Sequence, residues 1–287
     1  MAAPNFTIGE EVLFPVEDGS LLRGIILKFL RAKDSVRIEE TISGAIYECP
    51  KKLVDKMVGT DVNWRFRYYE DLAKLTIFKE FKSIFVAGSG GLGKSYTVQQ
   101  ILESEEFVED RDYVYVKGHV SPYALFQLLQ EHCTLPFIFD DCDGILKDST
   151  SLEILKAVID SYSNRKVKWL TSAGVRERVS RVFEFTGSII FLSNLPFDKV
   201  PQPIVSRTIM VDVSMTAQEK MDRMRYIVKT MPEMDGFSSE EIEELLNVLD
   251  RYKLLMADFN LRSLVKAATM YRKTGTWDYV KASIMAS

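Results

Sequence analysis

The chain has 287 residues, 46% of them hydrophobic and 27% charged, which is the balance of a globular protein with a well-buried core. A formal charge of −4 excludes a whole-molecule basic field for nucleic acid, so any such contact needs a local patch. Cys49, Cys133 and Cys142 are scattered, and His119 and His132 are the only histidines, which excludes a disulfide framework and a His/Cys metal centre. The amino terminus lacks a basic-then-apolar leader, and no apolar run approaches the ~20 residues of a membrane span, so a cytoplasmic protein without membrane contact is expected.

Residues 8 to about 57 read as short strands broken by turns: "EVLFPV", "LLRGIILKFL", "SVRIEE" and "SGAIYECP". Val36 and Ile38 alternate with Ser35 and Arg37, the period of a half-buried strand. Four or five such strands in about 50 residues suggest a small barrel of residues 1–58. Their order resembles an SH3-like barrel, with "ECPKKLV" as the closing turn.

From Asp61 the pattern changes. "RYYEDLAKLTIFKEF" suits a helix and "SIFVAG" a buried strand. Strands and helices then alternate through "DYVYVKG", "PYALFQLLQEH", "LPFIFDD", "SLEILKAVIDSYS", "GSIIFLSN" and "TIMVDVS". Nearly continuous apolar strands in a βαβ rhythm argue an α/β parallel sheet over residues 59–214. After Ser214 the chain reads as all-helical, a lid of residues 215–287. Thr216 with Glu219 and Ser238 with Glu241 have capping-box spacing. Ile242, Leu245, Leu246 and Leu249 form one apolar stripe, and Leu261, Leu264, Val265 and Ala268 another.

Three strand ends carry chemistry. Gly88, Gly93, Lys94 and Ser95 fit G-x-x-x-x-G-K-[ST], with a strand before and a helix after. Glycines let successive backbone N–H groups face one phosphate, and the helix N-terminus adds partial positive charge. Gly88, Ser89, Gly90, Gly91, Leu92, Gly93, Lys94, Ser95 and Tyr96 are the expected nucleotide loop. Lys94 would reach the outer phosphates, and Ser95 would ligate Mg²⁺. The strand 135–139 ends in Asp140 and Asp141, with Asp143 nearby. Asp140 is the expected second magnesium ligand, Asp141 the acid that orients and deprotonates water. In "SIIFLSNLP", Asn194 at a strand tip suits the γ-phosphate and the lytic water.

Order and spacing of these segments resemble the AAA+ family of P-loop ATPases, over about residues 60 to 275. Gly88 to Ser95 looks like Walker A, Phe137 to Asp141 like Walker B, and Asn194 like sensor 1. "PIVSRTIMVDV" is similar to the arginine-finger segment, which implies Arg207 at a subunit boundary. "NLRSLVKAA" looks like the sensor 2 helix, which implies Arg262 over the γ-phosphate. The resemblance implies Mg·ATP as ligand and a homo-oligomer, ring or filament, with a hexamer expected. Asp141 departs from the glutamate usual in the family, which bears on hydrolysis rate more than on binding. The short helical lid is also similar to AAA+ proteins of bacteriophages, which would put this chain in a host cytoplasm. The guanine-reading N-K-x-D of a GTPase is missing, since "NRKV" lacks the aspartate.

Before the Asn194 strand, "KVKWLT" and "RVFEFTG" can pair as a hairpin. It resembles the insert of DNA-handling AAA+ branches and carries Arg165, Lys166, Lys168, Arg176, Arg178 and Arg181, a candidate DNA contact. The amino-terminal strands carry balanced charge and suit a protein partner better than DNA. Three readings stay open: a DNA-associated motor or loader in replication, recombination or packaging; a protein remodeller; and an ATP-gated scaffold with slow hydrolysis. A remodeller needs an aromatic pore loop, and Tyr123 in "KGHVSPYALF" reads better as helix core.

Overall fold

Short apolar runs bounded by polar turns set the strands of both halves, but the halves bury those strands differently. The computed structural model describes residues 6–16, 21–30, 34–56, 61–162, 164–169 and 182–285. The chain divides between Trp64 and Arg65 into two compact units.

The first unit is an antiparallel sheet of β1 (Glu11–Pro15), β2 (Leu21–Leu30), β3 (Ser35–Glu40), β4 (Ile46–Pro50) and β5 (Asp55–Lys56), in the order β4-β3-β2-β1-β5. Val12 and Phe14 on β1, and Val36 and Ile38 on β3, are fully buried, while their neighbours along each strand face outward. That is the alternation of a one-sided sheet. A register shift between Ile26 and Lys28 marks a bulge in β2. The described pairings make β4 and β5 the outermost strands of this five-stranded antiparallel sheet.

α1 (Val62–Ile77) leads into the second unit. There β6 (Ser83–Ala87), α2 (Lys94–Ser104), β7 (Val114–Lys117), α3 (Pro122–Glu131), β8 (Phe137–Asp140), α4 (Gly144–Lys147) and α5 (Ser149–Val158) follow in turn. β9 (Lys166–Lys168) and β10 (Val182–Glu184) form a separate antiparallel pair, as the hairpin reading expects. Arg176, Arg178 and Arg181 lie outside the described residues. β11 (Ile189–Ser193), α6 (Gln202–Val205) and β12 (Ile209–Asp212) complete the α/β part.

The main sheet is parallel, ordered β12-β6-β11-β8-β7. Every residue of β6, β8 and β11 is buried, as expected for strands covered on both faces. Phe85, Phe191 and Phe139 run across the sheet and Phe137 continues along β8, with successive ring centroids 5.6–5.8 Å apart. The chain leaves β6 in the interior, crosses to the β7 edge, and works back to β11 beside β6. Parallel order puts the carboxyl ends of β6, β8 and β11 side by side at the point where the winding reverses, the usual place for a ligand in such sheets.

The last four helices are α7 (Ala217–Ile227), α8 (Ser239–Tyr252), α9 (Leu261–Thr274) and α10 (Trp277–Met285). Both capping boxes form, at Thr216/Glu219 and Ser238/Glu241. Met221, Met224, Leu245, Leu249, Leu264 and Ala268 make their shared core. Among the described residues, no helix is long and apolar enough to cross a membrane.

Candidate active site

The bend after β6 is built for close approach. Gly91 and Gly93 take φ of 73° and 96°, a left-handed region that side chains resist. At Gly91 a Cβ would stand 2.6 Å from Cγ of Asn260, so only glycine fits. Asn260 is buried because it caps α9, accepting from Arg262 N at 2.8 Å. Leu261 N donates to Gly91 O at 3.0 Å, so the bend and the first turn of α9 are held together. Gly93 opens α2 without a side-chain cap, which leaves the helix's first N–H groups directed at the cavity.

Lys94 is 5% exposed. Its Nζ donates to Gly88 O at 2.5 Å, Ser89 O at 3.0 Å and Asn194 Oδ1 at 2.9 Å. Burial lowers the amine's pKa, and the carboxylates of Asp141, Asp140 and Asp143 oppose that shift. Tyr69, fully buried on α1, donates its hydroxyl to Lys94 O at 2.7 Å and fixes the start of α2.

Ser95 Oγ donates to Asp140 Oδ1 at 2.9 Å. The other carboxylate oxygen accepts from Tyr115 OH at 2.9 Å and Lys117 Nζ at 3.1 Å. Sequence reasoning missed both of these β7 residues. Their signal was present in "YVYVK": valines 114 and 116 are core, while Tyr115 and Lys117 alternate with them on a strand beside β8. Asp141, just past the end of β8, takes a left-handed φ of 55°, an unusual backbone for a non-glycine residue. Asn194 Nδ2 donates to Asp141 Oδ1 at 2.6 Å. Asp143 accepts from Ser193 Oγ at 2.5 Å and does not cap α4 with its side chain.

These groups border a cavity of about 810 Å³, within the range of small-molecule sites. Gly90 to Ser95 and Tyr96 line it, with Asp140, Asp141 and Asn194. Gly88 and Ser89 turn their carbonyls to Lys94 instead, and the Leu92 side chain is fully buried. From the helical part come Arg223, Leu261 and Arg262. Arg262 stands close enough for its charge to act on Lys94. Arg223, which no sequence motif flags, lies over the Phe66 ring at 4.4 Å.

Arg207 and Arg165, expected at a subunit boundary and in the hairpin, lie outside this cavity. Arg207 precedes β12 at the amino-terminal side of the sheet, where Ser83 donates to its carbonyl. Its guanidinium donates to Pro203 O and Ser206 Oγ, each at 3.2 Å. About four strand residues, or ~13 Å, separate that level from the glycine bend, so Arg207 does not line this cavity. Arg165 corrects the proposed basic set. It is 7% exposed, donates to Val158 O and Gly187 O at 2.9 and 2.8 Å, and lies over the Phe185 ring at 5.1 Å. It anchors the hairpin and offers no charge to a ligand, whereas Lys166 and Lys168 are exposed.

The oxygens of Ser95 and Asp140 are hard donors 2.9 Å apart. One hydroxyl and one carboxylate suit Mg²⁺, which keeps waters and binds through substrate phosphates rather than through a protein cage. Among the described residues, no group of three His, Cys, Asp or Glu side chains could hold a metal alone.

No family model matches the chain. It is 28% identical over 288 residues to an uncharacterized 36.7 kDa protein of Enterobacteria phage T4 from the nrdC–mobD intergenic region, covering 90% of this chain and 84% of that protein. A solved DNA replication initiation factor is similar at a TM-score of 0.43 and 15% identity over 76% of this chain, which spans 63% of that protein's length. Domain III of the Thermotoga maritima replication initiation protein DnaA is similar at 0.46 and 14% identity, covering 76% of this chain and 88% of the domain. At these values neither structure assigns a role to any residue here.

Proposed function

We propose that this chain is a Mg·ATP-hydrolysing protein of the AAA+ type, built as an amino-terminal module (1–58, read as a small barrel), a nucleotide-binding part (59–214) and a helical lid (215–287). The observation that carries the reading is the meeting of Lys94, Ser95, Asp140, Asp141 and Asn194 from three adjacent strand ends around one cavity.

In this reading the N–H groups of residues 90–95 bind the phosphates, and Lys94 neutralises their outer charge. Ser95 and Asp140 hold magnesium, which when bound neutralises charge across the terminal phosphates. Asn194 aims Asp141, and Asp141 accepts a proton from the attacking water. Being one methylene shorter than glutamate, Asp141 gives slow turnover. Arg262 closes over the terminal phosphate from the lid. Arg207, remote from its own cavity, serves the site of a neighbouring copy in a ring or filament, with a hexamer expected.

We read DNA as the substrate of the motion, through exposed Lys166 and Lys168 together with Arg176, Arg178 and Arg181. The amino-terminal sheet is then free to dock a protein partner. A protein remodeller is less favoured because Tyr123 packs edge-on against Trp169, with centroids 5.6 Å apart. A slow ATP-gated scaffold stays in play through Asp141.

The test is the rate of phosphate release from Mg·ATP with and without single- and double-stranded DNA, beside Lys94→Met. Lys94-dependent turnover raised by DNA is the expected result. Turnover without any DNA response removes the DNA reading, and lack of Mg·ATP affinity removes the whole proposal.

A further inference from the structure

We propose that Tyr115 and Lys117 are opposed positioning residues for the cation site: Tyr115 fixes the Asp140 carboxylate toward Ser95, and Lys117 is a built-in cation that weakens a divalent ion's hold on it. The inference rests on the Mg·ATP reading of this cavity.

Parallel pairing sets Lys117 opposite Asp140 and Tyr115 opposite Ile138, and residues two apart on a strand share a face. Both side chains therefore reach the same carboxylate from the edge strand. Three donors already meet Asp140: Oδ1 accepts from Ser95, and Oδ2 from Tyr115 and Lys117, which leaves Oδ1 with room for a further partner. The two β7 donors differ in kind. A phenol donates one directional bond to the carboxylate and brings no charge, so it restricts rotation of the carboxylate without competing for its field. An ammonium brings a full positive charge, and its other N–H groups are free to turn to solvent because the Lys117 side chain is 63% exposed. The carboxylate it meets is 2% exposed, where charge is screened least. A dication entering between Ser95 and Asp140 thus meets a carboxylate already aimed but already partly neutralised.

Opposite signs follow. Without the Lys117 charge, a divalent ion binds more tightly, while metal-free nucleotide loses a favourable positive charge and binds less tightly. Without the Tyr115 hydroxyl, the carboxylate gains rotational freedom and the ion binds less tightly, while metal-free nucleotide affinity is unchanged. Ordinary loss of packing would weaken everything together.

The experiment is equilibrium binding of a fluorescent N-methylanthraniloyl ATP to the full chain, first in EDTA and then titrated with MgCl₂. Lys117→Met should lower half-saturating Mg²⁺ at least ~3-fold, the size expected of one partly screened like charge, and weaken binding in EDTA. Lys117→Arg should restore both. Tyr115→Phe should raise half-saturating Mg²⁺ and leave binding in EDTA unchanged; if it fails to fold, the two exposed Lys117 variants carry the test. An unchanged or raised Mg²⁺ requirement in Lys117→Met overturns the inference while nucleotide binding by the parent stands. A parent protein that binds no nucleotide overturns the Mg·ATP reading itself, and this inference with it.

Discussion

Asn194 donates through Nδ2 to Asp141 Oδ1 at 2.6 Å, and the same amide accepts the Lys94 ammonium on its Oδ1 at 2.9 Å. The amide's orientation is forced, since the lysine can only donate and the carboxylate can only accept. One side chain therefore aims the acid and the lysine relative to each other. Asn194→Ala should lower kcat on the order of 10²-fold, the low end for losing a positioned general base, while nucleotide affinity moves only a few-fold. Steady-state turnover beside equilibrium binding separates the two. Equal losses in both would mean that Asn194 holds ground-state phosphate and does not aim Asp141.

Lys94 is caged by two backbone carbonyls and the Asn194 amide, with burial opposing its charge. A buried ammonium in that position is tolerable because three acids stand nearby, and phosphate oxygens supply better partners than carbonyls do. Lys94→Met should weaken ATP binding roughly 10- to 100-fold, the worth of one or two charge-assisted bonds. Calorimetric titration reads this directly. Retained affinity would take the phosphates away from the glycine bend.

How much of this could be read from the chain alone depends on how local the signal is. The strand, bend and helix of residues 83–104 are written contiguously, because glycine, lysine and serine must follow one another for the bend to work. The apolar strands of the parallel sheet were equally plain, since burial on both faces leaves no polar alternation. Tyr115, Lys117 and Arg223 were missed because each gains its meaning from a neighbour distant in sequence. Arg165 was misjudged for the converse reason. Its neighbours Lys166 and Lys168 are exposed, and only tertiary packing shows that this one charge turns inward to two carbonyls.

That burial makes Arg165 a stability residue. Arg165→Met keeps the stem and removes the donors, so Val158 O and Gly187 O are left inside the protein without them. Stranding a buried carbonyl costs about 1–3 kcal/mol. A fall of several degrees in Tm is expected, with DNA response, if present, intact after folding is accounted for. Thermal unfolding together with DNA-stimulated turnover checks both halves. Selective loss of the DNA response at unchanged Tm would return Arg165 to the ligand-facing set.

The glycine bend and α9 share one contact that substitution can break. Gly91 sits at φ 73°, and an added methyl would meet the Asn260 side chain at 2.6 Å. Asn260 cannot swing aside without uncapping α9, which costs about 1 kcal/mol, and a left-handed alanine adds roughly 1–2 kcal/mol. Gly91→Ala should therefore lower stability and nucleotide affinity together. Gly91→Ala combined with Asn260→Gly relieves the clash and should recover part of the stability. Denaturant unfolding of the single and double variants measures the recovery. Additive losses in the double variant would show that the contact between Gly91 and Asn260 is not what constrains the bend.

Arg207 tests the assembly. It leaves its own cavity alone, lying near the start of β6 while the glycine bend follows that strand's end. Arg207→Ala should spare ATP binding and remove turnover by on the order of 10³-fold or more, as for arginines that neutralise a phosphoryl transition state. The discriminating measurement is a mixture. Lys94→Met protein has intact Arg207 but no working loop, and Arg207→Ala protein has the reverse. If Arg207 acts on a neighbour's nucleotide, mixing the two inactive proteins creates boundaries where an intact loop faces an intact arginine, and activity reappears. If the arginine serves its own chain, or the protein works as a monomer, the mixture stays as inactive as its parts, and the oligomeric reading of the site fails.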